Sequence, residues 1–166
     1  LYSSALFAPY ISNLNLDNLT ISAPDMGGSK RANAYSRHLQ SEMVLCYKLR
    51  KKPNVIEEMS IIGEVEGRNV VIVDDMVDTA GTMVLAAEMM KDRGAKSIRA
   101  FATHPILSGN AVDRINRSSI EELVVTDSIP IHVHSEKIRV LSIAEIFAST
   151  IQAVNTNSSI SINFVF

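Results

Sequence analysis

The stretch Val70-Val71-Ile72-Val73-Asp74-Asp75-Met76-Val77-Asp78-Thr79-Ala80-Gly81-Thr82 decides how this chain is read. Its first four residues are apolar without alternation. A strand that is apolar on both faces is buried on both, which points to a parallel sheet covered by helices. The run ends on two adjacent carboxylates and a turn of small residues. A helix is predicted from about Thr82 to Arg93. Gly94 closes it, a residue suited to the left-handed position after a helix.

Other segments follow the same rhythm. Leu19 to Ala23 leads into Pro24-Asp25-Met26-Gly27-Gly28 and then the helix-compatible stretch Ser29 to Gln40. Met43 to Tyr47, Ile98 to Thr103 and Leu123 to Thr126 read as short strands. Helices are predicted at about Ser108 to Asn116 and Ser142 to Ala153. Strands alternating with helices argue for an α/β domain, and ligands of such sheets gather at the carboxyl ends of the strands. After the polar break Asn155 to Ser159, the residues Ile160, Ile162, Phe164 and Phe166 alternate with Ser161, Asn163 and Val165. That pattern predicts a terminal strand with one apolar face, docked on its own sheet or on a partner.

The 166 residues fit a single domain, residues 1–166. A net charge of −2 gives no electrostatic footprint for nucleic acid or an anionic membrane surface. No run approaches the roughly 18 apolar residues of a membrane span. No basic-then-apolar leader marks secretion, so a cytoplasmic protein is expected. Cys46 is the sole cysteine; it cannot form an internal disulfide and reads as a small core residue. The chain opens on Leu1 rather than Met, which is expected of a fragment or a processed chain.

Asp74 and Asp75 end a buried strand, and two adjacent carboxylates suit Mg²⁺ or sugar hydroxyls. The turn from Asp78 through Thr79, Ala80 and Gly81 to Thr82 opens a helix, whose free N–H groups and partial positive charge suit a phosphate. The plain alternative is a helix cap at Asp78 or Thr79 beside a solvated acid pair. In the second loop, Asp25 with Gly27 and Gly28 suits a metal-bound diphosphate, since glycines expose backbone amides to anions. It reads equally as a tight turn before a helix. Lys48, Arg50, Lys51 and Lys52 are the densest cationic run. They form either a solvated surface or cations that close over a phosphoryl group. No GxxxxGK[ST] or GxGxxG sequence is present, so neither a Walker loop nor a dinucleotide fingerprint supplies a nucleotide site. His38 reads as a helix-surface histidine and His104 as a strand-end histidine on the presumed active edge.

The stretch from Val70 to Thr82 resembles the phosphoribosyl-diphosphate motif of the type I phosphoribosyltransferase fold. Pro24 to Gly28 is similar to the pyrophosphate loop of the ribose-phosphate pyrophosphokinases, and Lys48 to Val55 to their catalytic flexible loop. Leu49 and Lys51 stand where the commoner family sequence has arginine and proline. Thr103 to Gly109 and the terminal Ser159-Ile160-Ser161 also resemble that family, and the resemblance runs over essentially the whole chain.

This likeness implies an α/β domain with a parallel sheet flanked by helices. It further implies transfer of the diphosphate of ATP to the 1-hydroxyl of ribose 5-phosphate, with Mg²⁺ as cofactor. Asp74 and Asp75 would serve the ribose hydroxyls, Asp78, Thr79, Ala80, Gly81 and Thr82 the 5-phosphate, and Asp25, Met26, Gly27 and Gly28 the diphosphate. Asp25, Asp74 and Asp75 would hold metal, and Lys48 and Arg50 would stabilise the transition state. Ser159 and Ser161 match a serine-containing tail that binds regulatory phosphate; the other reading is two solvent-facing serines. The family assembles through dimers into hexamers, so a homo-oligomer is implied, with no nucleic-acid or membrane partner.

The likeness covers only the second half of the two-domain family. The first half's Mg·ATP histidine and adenine hairpin have no counterpart here, so weak activity is expected of the chain alone. A phosphoribosyltransferase, a non-catalytic sugar-phosphate binder and a phospho-accepting receiver domain are the other classes. The first lacks an obvious base-recognition segment, intact Lys48 and Arg50 argue against the second, and the Gly81-Thr82 turn argues against the third.

Overall fold

The computed structural model describes residues 1–49, 58–161 and 164. Helix α1 (Ser4–Asn13) precedes strand β1 (Leu19–Ala23), a 3₁₀ turn at Met26–Gly28 and helix α2 (Ser29–His38). There follow β2 (Glu42–Leu49), β3 (Glu58–Ile62), β4 (Asn69–Val77), α3 (Gly81–Asp92) and β5 (Ser97–Pro105). The chain continues with α4 (Ala111–Arg117), β6 (Glu122–Thr126), β7 (Ile138–Leu141) and α5 (Ala144–Asn155). The strands lie in the order β3-β2-β1-β4-β5-β6-β7. Every neighbouring pair is parallel except β2 with β3, which is antiparallel. The sheet is therefore mostly parallel with one antiparallel edge, rather than wholly parallel.

The apolar run of β4 behaves as its lack of alternation requires. Val70 and Ile72 enter a core with Met83, Ala86, Ala87 and Met90 of α3 and Ile115 of α4. Val71 and Val73 enter a second core, on the other face, with Phe7, Ala8 and Ile11 of α1 and Ala32 and Tyr35 of α2. All four β4 residues are buried. Successive side chains of a strand point to opposite faces, so both faces need a helical cover.

Three elements have weak local signals. Pro9 sits inside α1, and a mid-helix proline removes one backbone hydrogen bond. Burial of Phe7, Ala8 and Ile11 against the sheet outweighs that loss. β3 pairs with the end of β2, bringing Lys48 opposite Met59, so a non-local partner makes it a strand. β7 is a four-residue edge strand beside β6. Helix starts also shift. Ser108 does not begin α4, because its N–H donates to the Asp78 carbonyl at 3.1 Å. Gln40 leaves α2 with φ of 50°. Gly94 has φ of 86°, and the next residue, Ala95, donates back to Met90 O at 3.0 Å, which closes α3 in the expected left-handed way. The expected terminal strand is not formed by the described residues Ile160, Ser161 and Phe164; residues 162, 163, 165 and 166 lie outside them. The Phe164 ring instead meets Tyr2 edge-on at 5.7 Å. Cys46 is buried, and burial pushes its thiol up to about 11. Among the described residues no helix is long and apolar enough to cross a membrane.

Phe101 of β5 is fully buried and holds the α1 side together, with Phe7 and Tyr10 edge-on to its ring at 5.4 and 5.7 Å. Phe101→Ala is expected to lower the unfolding free energy by about 3–5 kcal/mol, read by urea denaturation.

Candidate functional site

Two strand ends build the site. β1 and β4 are adjacent and parallel, with Ser22 opposite Ile72, so the loops that follow them emerge side by side at the same edge. Asp25, Asp74, Asp78, Thr79, Ala80, Gly81 and Thr82 accordingly line one cleft of about 170 Å³. These are residues assigned from sequence to two separate loops.

In the first loop, Asp25 has extended backbone and caps the 3₁₀ turn, its Oδ1 accepting from Gly27 N at 2.8 Å and Gly28 N at 3.3 Å. The amides read as free for an anion are thus given to the Asp25 carboxylate. What demands glycine at position 28 is space, since a Cβ there would sit 2.9 Å from the Ala23 Cβ. Met26 is exposed and does not line the cleft.

In the second loop, Asp74 Oδ1 accepts from Asp75 N at 2.9 Å and Asp75 Oδ1 from Met76 N at 3.0 Å. Burial pushes the Asp74 carboxyl up to about 6, and the Asp75 charge beside it adds to the rise. Partial burial also pushes Asp75 upward. The hydrogen bond with Asp74 and the nearby Arg31 charge outweigh this and hold it below the usual carboxylate range. A carboxyl raised by burial favours its neutral form. Ionised Asp74 therefore costs the fold stability as pH rises from the ordinary carboxylate value through about 6. Such a group at a strand end is a mark of a functional site.

The pair is held by a residue the sequence reading did not single out. Arg31, on the first turn of α2, places Nη1 2.7 Å from Asp74 Oδ1 and Nη2 3.2 Å from Asp75 Oδ2. The available signal was its position three residues after Gly28 in a helix leaving the first loop.

The phosphate-type turn is strained and braced. Ala80 precedes α3 with φ of 60° and ψ of 3°, a left-handed conformation that costs a non-glycine residue about 1–2 kcal/mol. No side chain caps α3, which leaves its first-turn amides open toward the cleft for an anion. The β5–α4 connection holds the turn from outside. Ser108 Oγ donates to Asp78 Oδ1, and Arg114 Nη1 donates to the Thr79 carbonyl at 2.9 Å.

The remaining assigned residues lie elsewhere. Lys48 is in β2, and its side chain, like all of Arg50, lies outside the described residues. Ser159 and Ser161 are exposed on the tail and hydrogen-bond to each other at 2.8 Å. His104 ends β5 with Nδ1 2.9 Å from Ser128 Oγ, and His38 is exposed at the end of α2. No group of three or more His, Cys, Asp or Glu among the described residues is placed to hold a metal ion. Asp25, Asp74 and Asp75 offer only oxygen donors. Such a set fits Mg²⁺, which takes one or two carboxylates and completes its shell with water and substrate phosphate.

The strained turn generates a stability test. Ala80→Val puts a β-branched side chain into left-handed backbone and is expected to lower unfolding free energy by about 2 kcal/mol in urea titrations. Ala80→Gly removes the Cβ penalty and should not destabilise the chain.

Residues 22–165 match the family described as the phosphoribosyl synthetase-associated domain. A ribose-phosphate pyrophosphokinase of Porphyromonas gingivalis is 46% identical over 167 aligned positions, covering 100% of this chain and 53% of that protein. The chain thus spans about half the length of the curated relatives it matches. The crystal structure of phosphoribosylpyrophosphate synthetase from Mycobacterium smegmatis superposes with a TM-score of 0.85 at 29% identity, over 94% of this chain and 51% of that one. An adenine phosphoribosyltransferase from Thermoanaerobacter pseudethanolicus shares the fold, with a TM-score of 0.52 at 18% identity over 74% of this chain and 79% of that one. On the match over residues 22–165, the chain belongs to the family described as the phosphoribosyl synthetase-associated domain.

Proposed function

We propose that this domain carries the sugar-phosphate side of a ribose-phosphate diphosphokinase. The carrying observation is the single cleft in which Asp74 of the acid pair, the strained Ala80 turn and Asp25 meet, with Asp75 lining the neighbouring cavity. Only a ligand with a diol or cation at one end and a phosphate at the other uses all of its parts. The name shared by the curated relatives, ribose-phosphate pyrophosphokinase, supports the same substrate.

In this reading the first-turn amides of α3, with Thr79 and Thr82, hold the 5-phosphate of ribose 5-phosphate. Asp74 and Asp75 accept the ring hydroxyls, which leaves the 1-hydroxyl directed toward the Asp25 loop. That oxygen attacks the β-phosphorus of ATP and gives its proton to solvent, the bond to the α–β bridging oxygen breaks, and AMP leaves with 5-phosphoribosyl 1-diphosphate as the other product. Lys48 and Arg50 supply charge to the transferring group, where catalysis rests on positioning and electrostatics. Asp25 and the acid pair would hold Mg²⁺, which when bound neutralises the diphosphate.

From the likeness of its loops to the second half of the ribose-phosphate pyrophosphokinases, we read the chain as the second of two domains in a longer, cytoplasmic enzyme. The ATP site is then shared with the other domain. Exposed Phe147, Ile151 and Val154 along α5 support assembly into a homo-oligomer, as an apolar stripe on a helix calls for a partner. We also assign Ser159 and Ser161 to a regulatory phosphate.

Titration calorimetry with ribose 5-phosphate in Mg²⁺ tests the reading. Binding is expected for the native chain, with AMP release from ATP slow in the absence of the other domain. Hydrogen bonds to charged groups contribute about 1.5–3 kcal/mol each. Asp75→Asn should therefore weaken the sugar phosphate about tenfold or more. Failure of the native chain to bind ribose 5-phosphate, or diphosphate release on adding a nucleobase to 5-phosphoribosyl 1-diphosphate, would overturn it.

A further inference from the structure

The two carboxylates assigned above to sugar and cation already have a cationic partner. Arg31 bridges Asp74 and Asp75 through separate guanidinium nitrogens at 2.7 and 3.2 Å. One planar fork thus satisfies both acids with a single charge.

The guanidinium is partly open to solvent. Its side chain is 31% exposed. Arg31 also lines a neighbouring cavity of about 560 Å³, together with Lys30, Ala34, Tyr35, Asp75 and His104. That volume offers the arginine a place to turn toward without unfolding α2.

A bare divalent cation approaching this pair meets a site whose charge is −1, not −2, and must also displace one charge-assisted hydrogen bond and one further ion pair. Mg²⁺ gives up its water reluctantly, so two carboxylates alone offer it little in exchange. A cation arriving with a sugar phosphate brings extra oxygen ligands and a phosphate for the α3 turn.

We propose that Arg31 is an internal counter-cation. It excludes a bare divalent cation from Asp74 and Asp75, and it yields the pair when the cation comes with the sugar phosphate. This makes Arg31 a positioning residue that couples metal and sugar binding, since each ligand then favours the displaced state of the arginine. The proposal rests on the reading of Asp74 and Asp75 as sugar and cation residues.

The test uses Mn²⁺ alone as the probe, with free metal followed by its electron paramagnetic resonance signal in the 166-residue chain. Removing a positive charge within about 4 Å of both acids strengthens their hold on a cation, so Arg31→Gln should bind Mn²⁺ about tenfold tighter than the native chain. Arg31→Lys, which keeps the charge, should stay within about twofold. A residue that merely supports the fold would not raise metal affinity when removed. Circular dichroism checks the fold. Should the Gln variant lose it, Arg31→Met, which keeps the packing of the stem, repeats the measurement. Unchanged or weaker Mn²⁺ binding in the folded neutral variant overturns the proposal, as does tight binding by Arg31→Lys. A native chain that fails to bind ribose 5-phosphate overturns the functional reading instead, and the Mn²⁺ comparison detects the arginine's effect independently of it.

Discussion

Burial of β4 on both faces is the constraint from which the rest of the molecule follows. Val70 and Ile72 serve one core and Val71 and Val73 the other. Along that length the strand has no face on which a charge could reach water, and an unpaired buried carboxylate costs far more than one residue's packing returns. The first acids therefore appear where the helical cover ends, at Asp74 and Asp75. Because β1 runs parallel beside it, the Asp25 turn surfaces at the same edge. The site is a consequence of where two buried strands run out of protein.

At that edge the chain retains several features that work against stability. Asp74 is buried enough that its carboxyl rises to about 6. Ala80 is held left-handed, and α3 begins without a side-chain cap. Each is tolerated because neighbouring elements over-determine the geometry: Arg31 from α2, Ser108 and Arg114 from the β5–α4 connection. Open amides, a desolvated acid and backbone strain gathered in one cleft are what a preorganised anion and cation site requires.

Much of the fold was legible in the sequence, for identifiable reasons. The non-alternating run at Val70 announced a doubly covered strand, and Gly94 announced a left-handed helix end. The elements that were missed lack such local marks. α1 carries Pro9, β3 becomes a strand only through pairing with β2, and β7 is a short edge. The terminal alternation from Ile160 suggested a strand, yet Phe164 packs its ring against Tyr2. Two-residue periodicity supplies an apolar face but not the neighbouring strand that would pair it.

For the site, the sequence by itself determined which residues can do chemistry: the acid pair, the Asp25 turn and the small-residue loop. Their spacing relative to buried runs follows from hydrophobic patterning along one stretch of chain. Only the tertiary structure decided that the two loops share a cleft, that the Gly27 and Gly28 amides are committed to Asp25, and that Arg31 sits on both carboxylates. The shared cleft and the Arg31 bridge join residues more than 40 positions apart. They depend on strand order and helix orientation, which are set by how two cores close over one sheet and leave no mark at any single position.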